Sequence, residues 1–299
     1  MIGLLGAGAL GRLWAARLPV GQVVYLPRPG QPAPTLAYTL EVPGGQSLRT
    51  RVPALSTPGD LSLLLVTTKA GDALPALDHW LPRLAPSVPV VLFQNGLGSQ
   101  QAIAERHADR PILAASTTEG ANRPTPDRVV HAGRGDTWLG ALTPAARCRL
   151  DAVAAQLAAA GLRLETTDDI LERLWWKLVV NAGINPFTAL LDCPNGALLQ
   201  APLFLEHIDP LCRELAALMA AEGIGQPRPE ALRARIEAVA RNTAANTSSM
   251  RSDVRQGRRT EIDYINGYLV RVGLRHGIAT PVNRMLTERV RQLTSNRQE

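Results

Sequence analysis

The sequence predicts an α/β protein in two parts, a parallel-sheet domain over residues 1–166 followed by an all-helical domain over 167–299, on three observations. A glycine-spaced hexapeptide, "GAGALG", follows the first apolar run and opens a helical pattern. Short apolar runs then alternate with helical patterns through the first half of the chain. Beyond residue 166 the strand signals stop and helix follows helix.

The first strand is "IGLL" at 2–5, an unbroken apolar run of the kind expected where both faces of a sheet are covered. A helix from Ala9 to Leu18 follows, then the strand "QVVYL" at 22–26 and the strand "LSLLLVTT" at 61–68. A helical pattern through "ALPALDHWLPRL" at 73–84 leads to the strand "VPVVLFQ" at 88–94. Strands alternating with helices imply βαβ units and a parallel sheet with helices on its faces. In "RVVHAGRGDTWLGA", at 128–141, two alternating runs flank a glycine turn at 133–135 and predict a hairpin added to that sheet. "LDAVAAQLAAAGLRLE", at 150–165, gives a helix stopped by Gly161 and a last strand. In the second half, breaks at "NPFTALLDCPNGAL", "GIGQPRPE" and "RQGRRT" separate the helices.

Composition narrows the function. The 299 residues carry 32 basic and 26 acidic side chains, a net charge of +6, with 45% hydrophobic residues. The arginines are scattered, and the densest run, "RSDVRQGRR", is interrupted by Asp253, so a nucleic-acid surface is not expected. Anionic small molecules suit this field better. Cys148, Cys193 and Cys212 are odd in number and widely spaced, which supports neither a disulfide framework nor a zinc site. The apolar N-terminus lacks a basic leader and runs directly into the glycine pattern, so no signal peptide is expected. No apolar run approaches the roughly 20 residues of a membrane span. The expectation is a cytoplasmic protein without metal, nucleic acid or membrane partner, with a homodimer left open.

The hexapeptide has the G-x-G-x-x-G spacing in the setting that gives it meaning, after a strand and at the start of a helix. Gly6 makes the tight turn, Gly8 lets backbone approach a pyrophosphate, and Gly11 lets helix pack on strand. Ala7, Ala9 and Leu10 complete the loop, whose backbone N–H groups favour an anion. The parallel sheet is therefore expected to be of the Rossmann type. Its second strand ends in "PRPG", with Arg28 and no carboxylate, which favours NADPH over NADH.

A second signal is the scarcity of lysine. Only Lys69 and Lys177 interrupt a chain whose other basic residues are all arginine. Lys69 closes the strand at 61–68, the carboxyl-end location where open α/β sheets bind ligands. Lys177 lies in "LWWKLVVNAGINP", and on a helix it shares one stripe with Asn181 and Asn185 among apolar residues. Such polar groups are costly on a buried helix unless the stripe faces partners. An ammonium can give up a proton whereas a guanidinium does not, so a retained lysine suggests proton transfer.

In "NTAANTSSMRSDV", Asn246, Ser249 and Asp253 fall on one helical face, suited either to a substrate carboxylate and hydroxyls or to plain solvent. The next helix carries Ile262, Ile265, Leu269 and Val272 on its apolar face and stops at Gly277. Glu261 stands in its first turn, where the helix dipole alone would favour a carboxylate.

The chain resembles the ketopantoate reductases (2-dehydropantoate 2-reductases) of the ApbA/PanE family. The matching blocks are "GAGALGRLW", "LLLVTTKA", "FQNGLG", "LWWKLVVNAGINPFTAL", "CPNGAL", "NTSSM" and "RRTEIDYINGYLV", in family order over almost the whole length. The resemblance implies a Rossmann domain, a helical domain, and a cleft in which NADPH reduces ketopantoate to (R)-pantoate. It implies Lys177 as general acid and Glu261 as an orienting carboxylate. It further implies Asn181, Asn185, Asn246 and Ser249 as substrate-binding groups, and Gly6 to Gly11, Arg28, Lys69 and Asn95 at the cofactor. The second strand's end, "LPRPG", aligns Arg28 with the family only to within a residue. Alternatives are a reductase of another 2-oxo acid on the same scaffold and a non-catalytic NADPH-binding regulator.

Overall fold

A computed structural model of the chain describes residues 1–28, 30, 35–55 and 59–295, so Pro29 of the expected "PRPG" loop and the last four residues of the helical domain lie outside the described residues. The chain divides into two compact units. One comprises Met1–Gln94 and Ser99–Arg173, the other Asn95–Gly98 and the chain from Leu174 onward.

The first unit begins with β1 (Ile2–Leu5), α1 (Ala9–Arg17) and β2 (Val23–Leu26). It continues through β3 (Leu36–Glu41), β4 (Ser47–Val52), β5 (Leu63–Val66), α2 (Ala70–Trp80), β6 (Val90–Leu92) and α3 (Ser99–Arg106). It closes with β7 (Ile112–Thr117), β8 (Gly120–Thr125), β9 (Arg128–Gly133), β10 (Asp136–Ala141), α4 (Pro144–Arg147), α5 (Leu150–Ala158) and β11 (Arg163–Thr166). Among the described residues, seven strands form a sheet in the order β11-β10-β7-β6-β5-β1-β2. The five from β7 to β2 run parallel, and β10 joins β7 antiparallel.

The two-residue period of a strand explains the unbroken apolar runs. Leu63 and Leu65 point into a core shared with Leu13 and Trp14, while Leu64 and Val66 point into a second core with Leu77 and Trp80. Burying one such leucine fully stabilises by roughly 1.5–3 kcal/mol, so both faces favour this register.

A second sheet, in the order β4-β3-β9-β8, was not foreseen. Gly44 and Gly45, at φ of 101° and 83°, turn β3 into β4, and a two-residue loop at Pro126 and Asp127 turns β8 into β9. Leu36, Tyr38 and Leu40 are buried in the same core as Leu13 and Trp14 of α1, and the Tyr38 hydroxyl donates to the Arg12 carbonyl at 2.7 Å. The expected hairpin at 128–141 is corrected accordingly. Its first run, β9, belongs to the small sheet, and its second, β10, pairs with β7 and β11 in the large one. Alternation identified both strands, but the glycine turn carries the chain from one sheet to the other.

The second unit contains α6 (Ile170–Leu191), α7 (Pro202–Ala221), α8 (Pro229–Asn242), α9 (Ser249–Arg255), α10 (Asn266–His276) and α11 (Pro281–Ser295). Asp169 caps α6 by accepting the Glu172 amide at 2.9 Å. The expected boundary at 166/167 follows β11, whereas the units divide within α6, between Arg173 and Leu174. The first turn of α6 belongs with the sheet because Ile170 packs against Gly140 and Arg173 lies over the Trp138 ring. Among the described residues no helix is long and apolar enough to cross a membrane, and no group of His, Cys, Asp or Glu is placed to hold a metal ion.

Helix α6 contains Pro186, which has no N–H to give to the Ala182 carbonyl one turn back. The Asn266 amide donates to that carbonyl instead, at 3.3 Å, and also to Asn283 Oδ1 at 3.0 Å. Asn283 in turn donates to Glu214, whose carboxylate also accepts the Val282 and Asn283 backbone amides. This buried relay joins α6 to α10 and α11. Asn266→Ala should leave the Ala182 carbonyl without its donor and lower unfolding free energy by about 1–3 kcal/mol in a denaturant titration. A change below about 0.5 kcal/mol would show that the relay is dispensable.

Candidate active site

The glycine loop separates the three glycines by role. Gly6 has φ of 108°, and a Cβ there would lie 2.5 Å from the Thr68 amide nitrogen. At Gly11 a Cβ would run into Thr67 Oγ1 and the Gly6 carbonyl, so its absence lets α1 close on the strands. Thr67 Oγ1 donates to that carbonyl at 2.6 Å, a support that the sequence signalled only as a threonine closing a strand. Gly8 is different. It is exposed, its φ is −71°, and a Cβ would meet nothing nearer than 4.0 Å. Protein packing does not require glycine there, whereas a ligand lying on the loop would. With Gly8 as N-cap and no side chain capping α1, the loop fits a dinucleotide pyrophosphate on the helix N-terminus. Ala7, Ala9 and Leu10 are half-buried around it.

Arg28 lies just past β2, is exposed, and meets Asp72 at 3.6 Å. A surface pair of this kind contributes roughly 0–1 kcal/mol, so the guanidinium is easily recruited by a stronger anion. Lys69 is half-buried at the N-cap of α2, beyond the carboxyl end of β5.

The lysine stripe of α6 runs from open to closed. Lys177 and Asn181 are half-buried, while Asn185, one turn on, is buried. Leu174, Trp175, Leu178, Val179 and Ala182 cover the rest of this stretch with little or no exposure. Burial lowers the Lys177 pKa to about 8, and the Glu261 carboxylate opposes that shift. Glu261 Oε2 accepts from Asn95 Nδ2 at 3.2 Å. The short segment Asn95–Gly98 thus belongs with the helices although it follows β6. Leu97 N donates to the Tyr264 carbonyl at 2.8 Å, and Gly96, at φ of 78°, lies so close to that carbonyl that no Cβ fits.

Two expectations are corrected. Glu261 is not in the first turn of an α-helix. It is the N-cap of a 3-10 turn, Ile262–Tyr264, and α10 starts only after Ile265, whose backbone (φ −106°, ψ −96°) leaves the helical region. Likewise, Asn246, Ser249 and Asp253 do not form one helical face. The Ser248 hydroxyl accepts the Arg251 amide and caps α9, so the helix begins at Ser249 and Asn246 stands outside it. Serine and asparagine compete for caps more readily than they extend helices. Asp253 is buried in an ion pair with Arg258 at 3.0 Å, a structural role. Asn246 and Ser249 are exposed. The segment is nevertheless tied to α6: Thr188 Oγ1 meets Ser248 Oγ at 2.6 Å and donates to the Asn185 carbonyl at 2.9 Å. The structure therefore brings Glu261 to Lys177 and Asn95 to Glu261, with Asn181 and Asn185 on the same stripe of α6, while Thr188 ties the Asn185 backbone to Ser248 rather than to Asn246 or Ser249.

Residues 2–144 match the family model described as ketopantoate reductase PanE/ApbA, and residues 169–294 match the model of its C-terminal part. The 2-dehydropantoate 2-reductase of Vibrio cholerae is 41% identical over 97% of this chain and 96% of that protein. The crystal structure of a PanE/ApbA family ketopantoate reductase from Ralstonia eutropha JMP134 is similar with a TM-score of 0.85 at 28% identity, covering 100% of this chain and 99% of that one. A D-mandelate dehydrogenase solved with NADH and anilino(oxo)acetate shares the fold, with a TM-score of 0.87 at 23% identity over 99% of this chain and 98% of that one.

The different roles of the glycines make a paired prediction. Gly8→Ala should melt within about 2 °C of wild type, because space and backbone both accept alanine, yet weaken NADPH at least about tenfold. Gly11→Ala should itself destabilise the protein by about 1–3 kcal/mol through overpacking. Melting curves with and without NADPH check both. Wild-type NADPH affinity in Gly8→Ala would remove the loop from the cofactor site.

Proposed function

We propose that this chain, which belongs to the ketopantoate reductase PanE/ApbA family, reduces 2-dehydropantoate to (R)-pantoate in pantothenate biosynthesis with NADPH. In this proposal Lys177 is the general acid and Glu261 the carboxylate that orients it. The observation that carries the reading is the half-buried Lys177 ammonium, brought down to about pH 8 by burial and held charged by Glu261. NADPH, when bound, supplies the hydride. As the keto oxygen gains negative charge, the Lys177 ammonium stabilises it and transfers a proton from Nζ. Asn95 fixes one oxygen of Glu261, which keeps the carboxylate turned toward the lysine.

Asn181, Asn185, Asn246 and Ser249 are assigned to the substrate carboxylate and hydroxyls, for which amides and hydroxyls are suitable donors. The glycine loop and Lys69 are assigned to the cofactor, with Arg28 on its 2′-phosphate. The reaction is placed in the cytoplasm, where the free thiols of Cys148, Cys193 and Cys212 stay reduced.

If Lys177 donates the proton, charge alone will not replace it. Lys177→Arg and Lys177→Ala should each lose at least about 10² in kcat while NADPH still binds. Retention of activity within about threefold in the arginine variant would leave the lysine a mere electrostatic anchor. The wild-type rate of ketone reduction should fall as pH rises through about 8, because the acid must be protonated.

For the cofactor, NADPH should be preferred over NADH at least about tenfold, and Arg28→Ala should erase most of that preference. For the substrate, 2-dehydropantoate should be reduced with far higher kcat/KM than pyruvate or 2-oxoisovalerate. Equal turnover of another 2-oxo acid would overturn the pantoate assignment and leave the reductase class standing.

A further inference from the structure

We propose that Arg123 is a cofactor-binding residue whose guanidinium, carried by β8 to the glycine loop, holds the pyrophosphate common to NADPH and NADH. The inference rests on the glycine loop being the cofactor site. Its basis is the carbonyl of Ala7, inside that loop, which accepts from two guanidiniums at once: Arg12 Nε at 3.0 Å and Arg123 Nη1 at 3.1 Å.

Arg12 is committed to structure. It is buried, its Nη1 donates to the Pro126 carbonyl at 2.8 Å, and its guanidinium lies 4.9 Å from the Tyr38 ring centroid. Arg123 is half-buried on the edge strand of the small sheet, and its hydrogen bond to the Ala7 carbonyl directs it to the glycine loop. It spends one N–H on Ala7, and a guanidinium has five. Burial first, and then the neighbouring Arg123 charge, lower the Arg12 pKa, against smaller upward pulls from Tyr38 and Tyr25. Among the described residues neither arginine forms an ion pair with an acid.

Two like charges on one peptide carbonyl repel, and no acid among the described residues is paired with either of them. The open side of the same loop is the exposed, unfilled face of Gly8. A pyrophosphate there would satisfy the N–H groups of the helix start and the excess charge together. Arg28 lies instead past β2, at the ribose end, so the two arginines are assigned different phosphates.

The test is calorimetric titration of the full-length protein with NADPH, NADH and inorganic pyrophosphate, in wild type, Arg123→Ala, Arg123→Gln and Arg28→Ala. Arg123→Ala should weaken NADPH and NADH by similar factors of about tenfold and abolish pyrophosphate binding, leaving the preference between the cofactors unchanged. Arg28→Ala should change that preference alone. Arg123→Gln keeps a donor for the Ala7 carbonyl without the charge. It separates a lost phosphate contact from a loosened loop, and it should bind as poorly as the alanine variant. Wild-type affinity in Arg123→Gln would make Arg123 a peg for Ala7 and overturn the inference, as would a loss confined to NADPH. Failure of the wild type to bind either cofactor would overturn the cofactor site itself and this inference with it.

Discussion

The pairing of a half-buried ammonium with a carboxylate organises the second unit. Lys177 must leave water to sit on an apolar helix, and burial favours its neutral form. Glu261 pulls in the opposite direction, and the balance lies near 8. At neutral pH the lysine is therefore still charged but able to release its proton. The unfolded chain would hold that proton up to about 10.4. Between about 8 and 10.4 the unfolded state binds more protons, so this group makes stability rise with pH, and below about 8 the folded state carries the whole penalty, on the order of 3 kcal/mol. Much of the surrounding structure offsets or maintains that unfavourable placement. Asn95 steadies Glu261, Gly96 and Leu97 fasten the Asn95 segment to Tyr264, and Asn266 supplies the donor that Pro186 withholds from α6.

The first unit solves a different problem, the approach of an anion to backbone. Its means are steric. Positive φ at Gly6 and missing Cβ atoms at Gly6 and Gly11 let the loop, α1 and Thr67 close together, while Gly8 is left open. Protein packing accounts for two of the three glycines. The third faces open space at the start of α1, where a missing side chain leaves backbone accessible to an anion.

What the sequence revealed follows from how local each signal is. The runs "IGLL" and "LLLV" report strands covered on both faces, because each side chain meets one of two cores. The lysine stripe was legible because Lys177, Asn181 and Asn185 lie on one continuous helix, where a 3.6-residue period has meaning. The same reasoning failed at Asn246, Ser249 and Asp253, since the Ser248 cap starts the helix between them. Alternation at 128–141 correctly marked strands but could not name their partners, which lie in two sheets. The hairpin β3–β4 went unseen because "SLRTRV" exposes most of its residues and offers little apolar contrast. Nothing local announces that Asn95–Gly98 leaves the sheet to join Glu261, a contact between residues 166 apart in sequence.

The proposed role of Lys177, a proton donor tuned by burial against Glu261, is directly measurable because the chain holds only two lysines. Uniform ¹³C-lysine labelling yields two side-chain signals, assigned by Lys69→Arg, and each can be followed by NMR across pH. The Lys177 signal should titrate near 8, and Glu261→Gln should move it lower, because the group that raises it is gone. A Lys177 titration above about 10, or one that Glu261→Gln leaves in place, would overturn that role.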